Sequence, residues 1–333
     1  MGLYLAHPSS LEHDTGAHPE NAARLRAIES TLDDAGWPGL ERLEAPAATR
    51  EQLRRVHTDQ HIDAIEEFCA KGGGLIEIDT VASEGSFEAA LHAAGGAASA
   101  AERLLAGEDG FAFCGLRPPG HHAEAARAMG FCLFNNVAVA AAHAVAEGGI
   151  ERVLVVDWDV HHGNGTEAIF AASDRVLYAS IHQWPLYPGT GSADYCGEGV
   201  GEGYTVNLPV SPGAGSDEFL SLVQNVVAPI ARAFEPGLVA ISAGYDAHRD
   251  DPLADCAVET EAYGEMAATI GGLASELEVP VLICLEGGYS RDALASSVLA
   301  TIDALARGGD PRSAPIEPAE PHLERQRAHW PQI

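Results

Sequence analysis

The feature that most constrains the fold is a regular alternation of short apolar runs with longer alanine-rich segments. The apolar runs are rich in Val, Ile and Leu, are bounded by Gly, Pro or Asp, and are continuous, which predicts strands covered on both faces. The predicted strands are Gly2–Ala6, Gly110–Cys114, Val153–Val156, Val176–Ile181, Val206–Pro209, Leu238–Ser242 and Val279–Leu285. The predicted helices are Pro19–Ala35, Arg50–Lys71, Ser86–Ala106, Asn136–Glu147, Gly165–Ala172, Asp217–Phe234, Glu259–Glu278 and Arg291–Ala306. This order predicts an α/β protein with a mainly parallel sheet.

The length of 333 residues fits one large domain or two ordinary ones. No Pro/Ser-rich linker divides the chain and no internal repeat is visible. We therefore expect a single domain over residues 1–307. The last segment, residues 308–333, is rich in proline and charge and is expected to be a C-terminal surface tail.

The charge is strongly negative, with 19 Lys+Arg against 49 Asp+Glu and a formal net charge of −30. Such a chain repels phosphates at every face, which argues against nucleic-acid binding. Lys71 is the only lysine. An excess of acidic residues, with arginine present and lysine nearly absent, favours a halophilic protein. Such a protein is adapted to a salt-rich cytoplasm, in which counterions screen the repulsion among its negative charges. The alternative is an ordinary acidic protein from a GC-rich genome, which also prefers arginine to lysine.

The cysteine pattern and the apolar segments indicate in which cellular compartment the protein is expected. No CxxC pair occurs among the cysteines, which suggests reduced, mostly buried thiols of a cytosolic protein. The cysteines are Cys69, Cys114, Cys132, Cys196, Cys256 and Cys284. The first ten residues have neither a charged nor a long apolar region, so we expect no signal peptide. The stretch Val137–Ala146 is half the length of a membrane span and contains His143. We therefore expect a cytoplasmic protein with no membrane partner.

Polar side chains cluster where the predicted strands end. The run VLVV is followed by DWDVHHGNG, which contains Asp157, Asp159 and His161. If the strand stays extended, these three side chains share one face, because side chains alternate along a strand. Two carboxylates and an imidazole on one face are a costly arrangement without a cation.

Three other strand ends carry similar chemistry. Asp246 follows one strand, Tyr289 follows another, and the pair His121–His122 follows a third. In open parallel sheets the loops at the carboxyl ends of the strands converge over one crevice, where sites form. A single His or Asp after a strand is usually a cap or turn residue, but four such motifs together indicate a site.

The combination predicts a catalytic metal centre. Asp159, His161 and Asp246 supply one nitrogen and two oxygen donors, and three protein ligands with an open position are typical of a catalytic Zn²⁺ or Fe²⁺. Hydrolysis then needs a base, a proton donor for the leaving group and a donor to the oxyanion. The two histidines can supply the first two functions and the hydroxyl of Tyr289 the third.

These motifs resemble the histone deacetylase family, which includes acetylpolyamine amidohydrolases and acetoin-utilisation proteins. The resemblance rests on RPPGHHA, GFCLFNN, VVDWDVHHGNGT, PGTG, SAGYDAH and LEGGY, and it runs from HPENAARL to Tyr289 and beyond. It implies the arginase/deacetylase fold, a three-layer α/β/α sandwich with an eight-stranded, mainly parallel sheet. Asn164, together with HPENAARL and GNGT, places the chain nearer the class II-like branch.

The resemblance also implies residue roles. Zn²⁺ would be bound by Asp159, His161 and Asp246. His121 would pair with a buried Asp157, and His122, with Asn164 as its partner, would act as general base and then acid. Tyr289 would polarise the substrate carbonyl.

The resemblance further implies a narrow acyl-lysine channel. Phe131 and Tyr187 would form its walls, Gly130 its floor and Asp79 a carboxylate at its rim. Leu253 stands where polyamine-selective members often carry an acidic residue. A structural K⁺ would be bound by Asp157, Asp159, His161, Ser180 and Ile181, partly through backbone carbonyls.

The function expected is therefore a zinc-dependent deacetylase acting on N-acetylated amines, above all acetyl-lysine in proteins. The first rival is an amidohydrolase for acetylpolyamines or another small acetylated amine. A binuclear arginase-type enzyme would need further ligands, which Trp158 and Val160 cannot supply. A catalytically inactive acyl-lysine-binding protein would be expected to lack a ligand, the histidine pair or the tyrosine, and none is missing. The oligomeric state is left open.

Two further motifs resemble binding sites but are not predicted to be functional. The glycine-rich run Gly197–Gly203 resembles a phosphate loop, but it precedes a strand and carries acidic residues that repel phosphate. His57 and His61 lie four residues apart on a predicted helix, a spacing that can bind a metal. No accompanying Glu supports a metal site, so a surface or packing role is expected.

Overall fold

The apolar runs form the centre of the fold. The computed structural model describes residues 1–333. Its strands are β1 (Gly2–Ala6), β2 (Leu40–Glu44), β3 (Gly73–Leu75), β4 (Val81–Ser83), β5 (Phe111–Cys114), β6 (Val153–Asp157), β7 (Val176–Gln183), β8 (Thr205–Val210), β9 (Leu238–Ala243) and β10 (Val281–Leu285). Eight of them form one sheet in the order β2-β1-β5-β10-β9-β6-β7-β8. Every neighbouring pair in this sheet is parallel, which confirms the predicted fold class.

The alanine-rich segments form helices on both sides of this sheet. They are α1 (Ser9–Glu12), α2 (Ala23–Asp34), α3 (Arg50–Arg54), α4 (Asp59–Ala70), α5 (Ser86–Leu105), α6 (Asn136–Glu147), α7 (Asn164–Phe170), α8 (Ser216–Leu222), α9 (Ala228–Phe234), α10 (Thr260–Leu277), α11 (Arg291–Arg307) and α12 (Glu320–Gln326). A π-helical turn, Val223–Val227, joins α8 to α9. None of the helices is both long enough and apolar enough to cross a membrane.

The sheet separates two apolar cores, because successive side chains of a buried strand point to opposite faces. In β6, Leu154 and Val156 belong to one core, whereas Val153 and Val155 belong to the other. Helices α2 and α8–α11 cover the first core, and α3–α7 contribute side chains to the second. The molecule is therefore the three-layer α/β/α sandwich that the resemblance implied.

Three strands were not expected from the sequence. Strand β2 has the sequence LERLE, in which charged residues dominate and no residue is fully buried. It lies at the edge of the sheet, where charged side chains are common because they discourage pairing with another chain. Strands β3 and β4 form a small antiparallel hairpin. These segments lack the continuous apolar runs on which strand prediction depended.

The segment predicted as one helix, Arg50–Lys71, forms two. The hydroxyl of Thr49 accepts a hydrogen bond from the Gln52 amide and begins α3, and that of Thr58 accepts one from the His61 amide and begins α4. Threonine caps of this kind satisfy amides that have no partner at a helix start. A second cap inside the predicted helix therefore explains the break.

The C-terminal segment, residues 308–333, is more than the surface tail that we expected. It contains α12 and buries Leu323 and Trp330 against the first core. The indole N–H of Trp330 donates to the carbonyl of Gly203 over 3.0 Å. Its ring packs edge-on against Tyr204 and Phe234, with centroid distances of 5.7 and 6.3 Å. Single anchoring residues in a polar segment are not visible as a periodic pattern.

Replacing Trp330 by alanine should lower the free energy of unfolding by about 3 kcal/mol, because it leaves a cavity and an unpaired carbonyl at Gly203. Urea unfolding of metal-free protein would measure this loss. Glu324→Ala, at an exposed position of α12, is the matched control and should change stability by about 0.5 kcal/mol or less. Equal stability of both variants would mean that the segment does not pack against the core.

Candidate active site

The loops that carry the polar motifs meet at one edge of the sheet. They follow β5, β10, β9 and β6, which are consecutive in the sheet order. Because these strands are parallel, all four carboxyl ends lie at the same edge. Residues that are far apart in the sequence are thereby brought together, as the strand-end argument predicted.

The predicted metal ligands form a tight cluster. Donor atoms of Asp159, His161 and Asp246 all lie within 4.8 Å of one another. The His161 Nδ1 atom is 3.1 Å from Asp159 Oδ1 and 3.1 Å from Asp246 Oδ2. Both carboxylates are buried. One imidazole nitrogen and two carboxylate oxygens therefore face a common point.

The surroundings of this cluster fit a divalent cation. The Gly287 amide donates to Asp159 over 2.8 Å, and the Val160 amide donates to Asp246 over 2.9 Å, so both carboxylates are held in place. A Cβ at Gly244 would lie 2.1 Å from Asp159 Oδ2, which explains a glycine there. Burial and the charge of Asp159 raise the pKa of Asp246 to about 7. A cation would relieve this repulsion, and three protein ligands of this kind are typical of catalytic zinc.

The carboxylate of Asp157 makes contacts different from those within the cluster of predicted metal ligands. Strand β6 ends at Asp157, so Asp159 and His161 reach the cluster from a bend and not from an extended strand. Asp157 Oδ2 instead lies 3.0 Å from His121 Nδ1 and accepts a hydrogen bond of 2.9 Å from the Tyr178 hydroxyl. Burial lowers the pKa of His121, but the charges of Asp157 and Asp159 outweigh it and raise that pKa to about 10.

His122 has the opposite character. Burial and the neighbouring rings of His121 and His161 hold its pKa well below the usual value, so the ring is neutral. Its Nδ1 atom lies 2.8 Å from Asn164 Oδ1. The amide nitrogen of Asn164 donates to Glu124 over 2.8 Å, which turns the amide oxygen towards His122. His122 therefore carries its proton on Nδ1 and leaves Nε2 free to accept one.

A narrow cavity of about 210 Å³ gives access to these groups. It is lined by the histidine pair, the predicted ligand His161 and Tyr289. All the predicted channel residues line it as well, namely Asp79, Gly130, Phe131, Tyr187 and Leu253. The ring of Tyr289 lies edge-on to that of Phe131, with centroids 5.8 Å apart, and the ring of Tyr187 lies edge-on to that of His122 at 5.2 Å. The site is therefore an aromatic channel with acid–base groups at its inner end.

The inner wall of the channel requires a glycine. Gly130 has a φ of +55° and Phe131 a φ of +69°, a conformation that non-glycine residues rarely adopt. A Cβ at Gly130 would lie 2.3 Å from the His122 ring. The Phe131 amide donates to the hydroxyl of Thr80 over 3.2 Å, which supports this turn. The aromatic wall and the neutral histidine are thus packed as one unit.

Comparison with known proteins identifies the family. The model of the histone deacetylase domain matches residues 18–305. The chain belongs to the histone deacetylase family. Histone deacetylase 15 of Arabidopsis thaliana is 43% identical to it over 314 residues, which is 92% of this chain and 56% of that protein. The chain thus spans little more than half the length of that relative.

Other members of the histone deacetylase family match over most of their length. A probable deacetylase of Archaeoglobus fulgidus is 41% identical, with 90% of this chain and 85% of that protein covered. A histone deacetylase-like amidohydrolase of Pseudomonas aeruginosa is 38% identical, with 93% and 81% covered. The crystal structure of the HDA15 HD domain superposes with a TM-score of 0.92 at 41% identity and covers 99% of this chain and 95% of that one.

Sequence reasoning gave no role to Glu286, although it quoted the motif LEGGY that contains this residue. The Glu286 carboxylate is fully buried and accepts hydrogen bonds from the amides of Gly120 and His121, over 2.6 and 3.1 Å. It also accepts one from the Ser242 hydroxyl over 3.1 Å. Glu286 therefore ties the backbone of the histidine pair to the ends of β9 and β10.

A second feature that the sequence did not reveal is a buried network of ion pairs that holds the Tyr289 loop. Arg24 donates from Nε to the Gly288 carbonyl over 2.6 Å, and its guanidinium lies 5.1 Å from the centre of the Tyr289 ring. Glu20 pairs with Arg24 at 3.1 Å and also with Arg117. The available signal was the i, i+4 spacing of Glu20 and Arg24 within HPENAARL.

The predicted K⁺ residues Ser180 and Ile181 and the pair His57 and His61 are all buried. Ser180, a predicted K⁺ residue, pairs with Asp157 across β6 and β7, and Ile181 follows it in the same buried strand. The K⁺ assignment stays a prediction. His57 and His61 are buried, and both contact backbone carbonyls, those of Glu124 and Leu133 at 3.0 and 2.9 Å. These contacts agree with the packing role expected for the two histidines.

Proposed function

We propose that this chain is a zinc-dependent deacetylase that hydrolyses the amide of an N-acetylated amine, with acetyl-lysine in proteins as its main substrate. One observation carries the proposal: the neutral ring of His122 and the side chain of Tyr289 line the same narrow cavity as the ligand His161. Membership in the histone deacetylase family supports the reaction class. No ligand, histidine or tyrosine expected for such a reaction is lacking.

Asp159, His161 and Asp246 would hold the metal. When bound there, Zn²⁺ supplies Lewis-acid chemistry, in which a water molecule becomes more acidic and a carbonyl becomes more electrophilic. Fe²⁺ would suit the same donor set.

The proton path depends on the protein side chains. His122 takes a proton from the attacking water at Nε2, because its ring is neutral and its Nδ1 is engaged by Asn164. Tyr289 donates from its hydroxyl to the carbonyl oxygen as negative charge develops there. His122 then returns the proton to the leaving nitrogen, so that acetate and a free amine are released. The charged His121, held by Asp157, can assist this last step.

The channel mouth favours acetyl-lysine over acetylated polyamines. Leu253 lines the cavity with an apolar side chain at the position where an acidic residue would hold a second amine. The nearby Asp251 carboxylate accepts hydrogen bonds from the amides of Tyr289 and Leu253, over 2.6 and 3.0 Å, and so serves the loop. Phe131 and Tyr187 offer aromatic faces to an alkyl chain, and Asp79 offers a carboxylate to substrate backbone amides.

The decisive experiment measures acetate release by Zn²⁺-reconstituted protein, at high KCl, from acetyl-lysine peptides and from acetylated polyamines side by side. We expect a higher kcat/KM for the peptides. A preference for acetylspermidine would support the small-amine amidohydrolase instead. Peptide binding without acetate release would support an inactive acyl-lysine-binding protein.

Asn164→Asp should move the acidic limb of the kcat/KM profile to higher pH. A carboxylate beside Nδ1 stabilises the protonated ring and raises the pKa of His122. As the pH falls, His122 is therefore protonated at a higher pH than in wild type, and the acidic limb moves up by about one pH unit or more. Asn164→Ala is the control: it should lower kcat/KM without this upward displacement, because it removes the hydrogen bond and adds no charge. An unchanged limb in Asn164→Asp would argue against His122 as the base.

A further inference from the structure

A second cluster of metal-ligating side chains lies away from the channel. Cys196 and Glu202 come from the loop between β7 and β8, and His329 comes from the C-terminal segment beyond α12. Their thiol, carboxylate and imidazole donor atoms lie within 4.8 Å of one another. None of the three takes part in the site described above.

The backbone holds the two loop ligands close together. The Cys196 carbonyl accepts hydrogen bonds from the amides of Gly203 and Thr205, over 2.7 and 3.3 Å. These bonds close the glycine-rich run Gly197–Gly203 into a compact loop. Cys196 therefore stands at the beginning of the loop and Glu202 near its end, on neighbouring parts of the backbone.

The backbone position of the third residue, His329, is held by its neighbour. Trp330 is buried and its indole donates to the Gly203 carbonyl, as described above. His329 precedes it and lies so close to the loop that a Cβ at Gly203 would be 2.9 Å from the His329 Cβ. Gly203 also has a φ of +93°, so a glycine is required there for two reasons. The backbone that carries the three residues is thus held by packing and hydrogen bonds before any metal binds.

We propose that Cys196, Glu202 and His329 bind Zn²⁺ at a second site that fastens the C-terminal segment to the glycine-rich loop. Thiolate, imidazole and carboxylate are all zinc ligands, and a water molecule would complete a four-coordinate site. Binding converts the Cys196 thiol to a thiolate and releases one proton to solvent. The two anionic ligands balance the charge of the ion, and the negative charge of the whole chain favours a cation.

Thiol labelling tests this site separately from the channel. Five of the six cysteines are buried and Cys196 is the exception, so a water-soluble disulfide reagent applied to the native protein reports on Cys196. At a Zn²⁺ concentration roughly 100 times the Kd, about one chain in a hundred has a free site, so labelling should slow about 100-fold. The protection should persist in Asp246→Asn, because the catalytic ligands contain no thiol.

Matched variants separate ligation from non-specific binding. Glu202→Gln and His329→Ala should reduce the protection, whereas Glu198→Gln, an exposed acid in the same loop, should retain it. Equal protection by Zn²⁺ in wild type and His329→Ala, or none in wild type, would overturn the proposal. If a variant does not fold, Co²⁺ bound to wild type gives the second measurement. A thiolate-to-cobalt charge-transfer band is expected, and its absence would also overturn the site.

Discussion

Asp246→Ala should lose the metal of the channel site and the activity together, with kcat/KM reduced by about 10³-fold or more. The reason is that removing one of the three proposed ligands would leave Asp159 and His161 to hold the ion alone. The Lewis-acid contribution of a bound metal is several kcal/mol, and each 1.36 kcal/mol is tenfold in rate. Metal analysis of purified protein should show one bound metal per chain fewer than in wild type, and acetate release from an acetyl-lysine peptide would be measured on the same preparation.

Two companion variants make this result specific. Asp250→Ala changes an exposed carboxylate in the same loop and should keep both metal and activity. Asp246→Asn keeps the shape of the side chain and the hydrogen bond from the Val160 amide, so loss of metal there would reflect the lost charge. Full metal occupancy in the channel site of Asp246→Ala would show that Asp246 is not a ligand.

The sheet and the position of the site could be predicted because both depend on local patterns. Continuous apolar runs such as Val153–Val156 are buried wherever they occur in a parallel sheet, and the residues that follow them lie at its carboxyl edge. The sequence order of the strands does not give their spatial order. That β9 lies beside β6, and so brings Asp246 to Asp159, follows from the structure alone.

The expectation that Asp157, Asp159 and His161 share one face was conditional on an extended strand, and that condition does not hold, although Asp157 does contact His121. An alternation argument assumes that the strand continues, but β6 ends at Asp157. The Asp159 amide donates to the Asp157 carboxylate over 3.1 Å, a local contact that turns the backbone out of the strand. Short polar residues compete with the ladder in this way, and the competition is not visible in the spacing of polar residues.

Buried polar networks are the part of the site that the sequence conceals. Glu286 and Arg24 belong to recognisable motifs, yet their partners are backbone groups more than 160 residues away in the chain. Such contacts have no period and no local composition. These contacts are necessary because a buried, unpaired charge at the carboxyl ends of β5 and β10 would cost folding free energy. Only the folded structure shows which groups are the partners.

Tyr289→Phe should lower kcat by about 10²–10³-fold, the usual loss for one oxyanion donor, with a smaller change in KM. In the proposed mechanism, the Tyr289 hydroxyl acts only when negative charge develops on the carbonyl oxygen. Phenylalanine keeps the ring that packs against Phe131 and beneath Arg24, so the channel should keep its shape. Steady-state kinetics with an acetyl-lysine peptide would measure both constants.

The control for Tyr289→Phe is a second tyrosine in the same channel. The Tyr187 hydroxyl is buried and has no hydrogen-bond partner, so Tyr187→Phe removes a hydroxyl that makes no internal contact and should leave kcat close to wild type. Metal content should be unchanged in both variants, unlike in Asp246→Ala, because neither tyrosine is one of the proposed metal ligands. A Tyr289→Phe enzyme with unaltered turnover would remove this residue from the mechanism and would leave His122 and the metal to carry the oxyanion step. Equal losses in both variants would instead mean that any hydroxyl in the channel supports substrate binding.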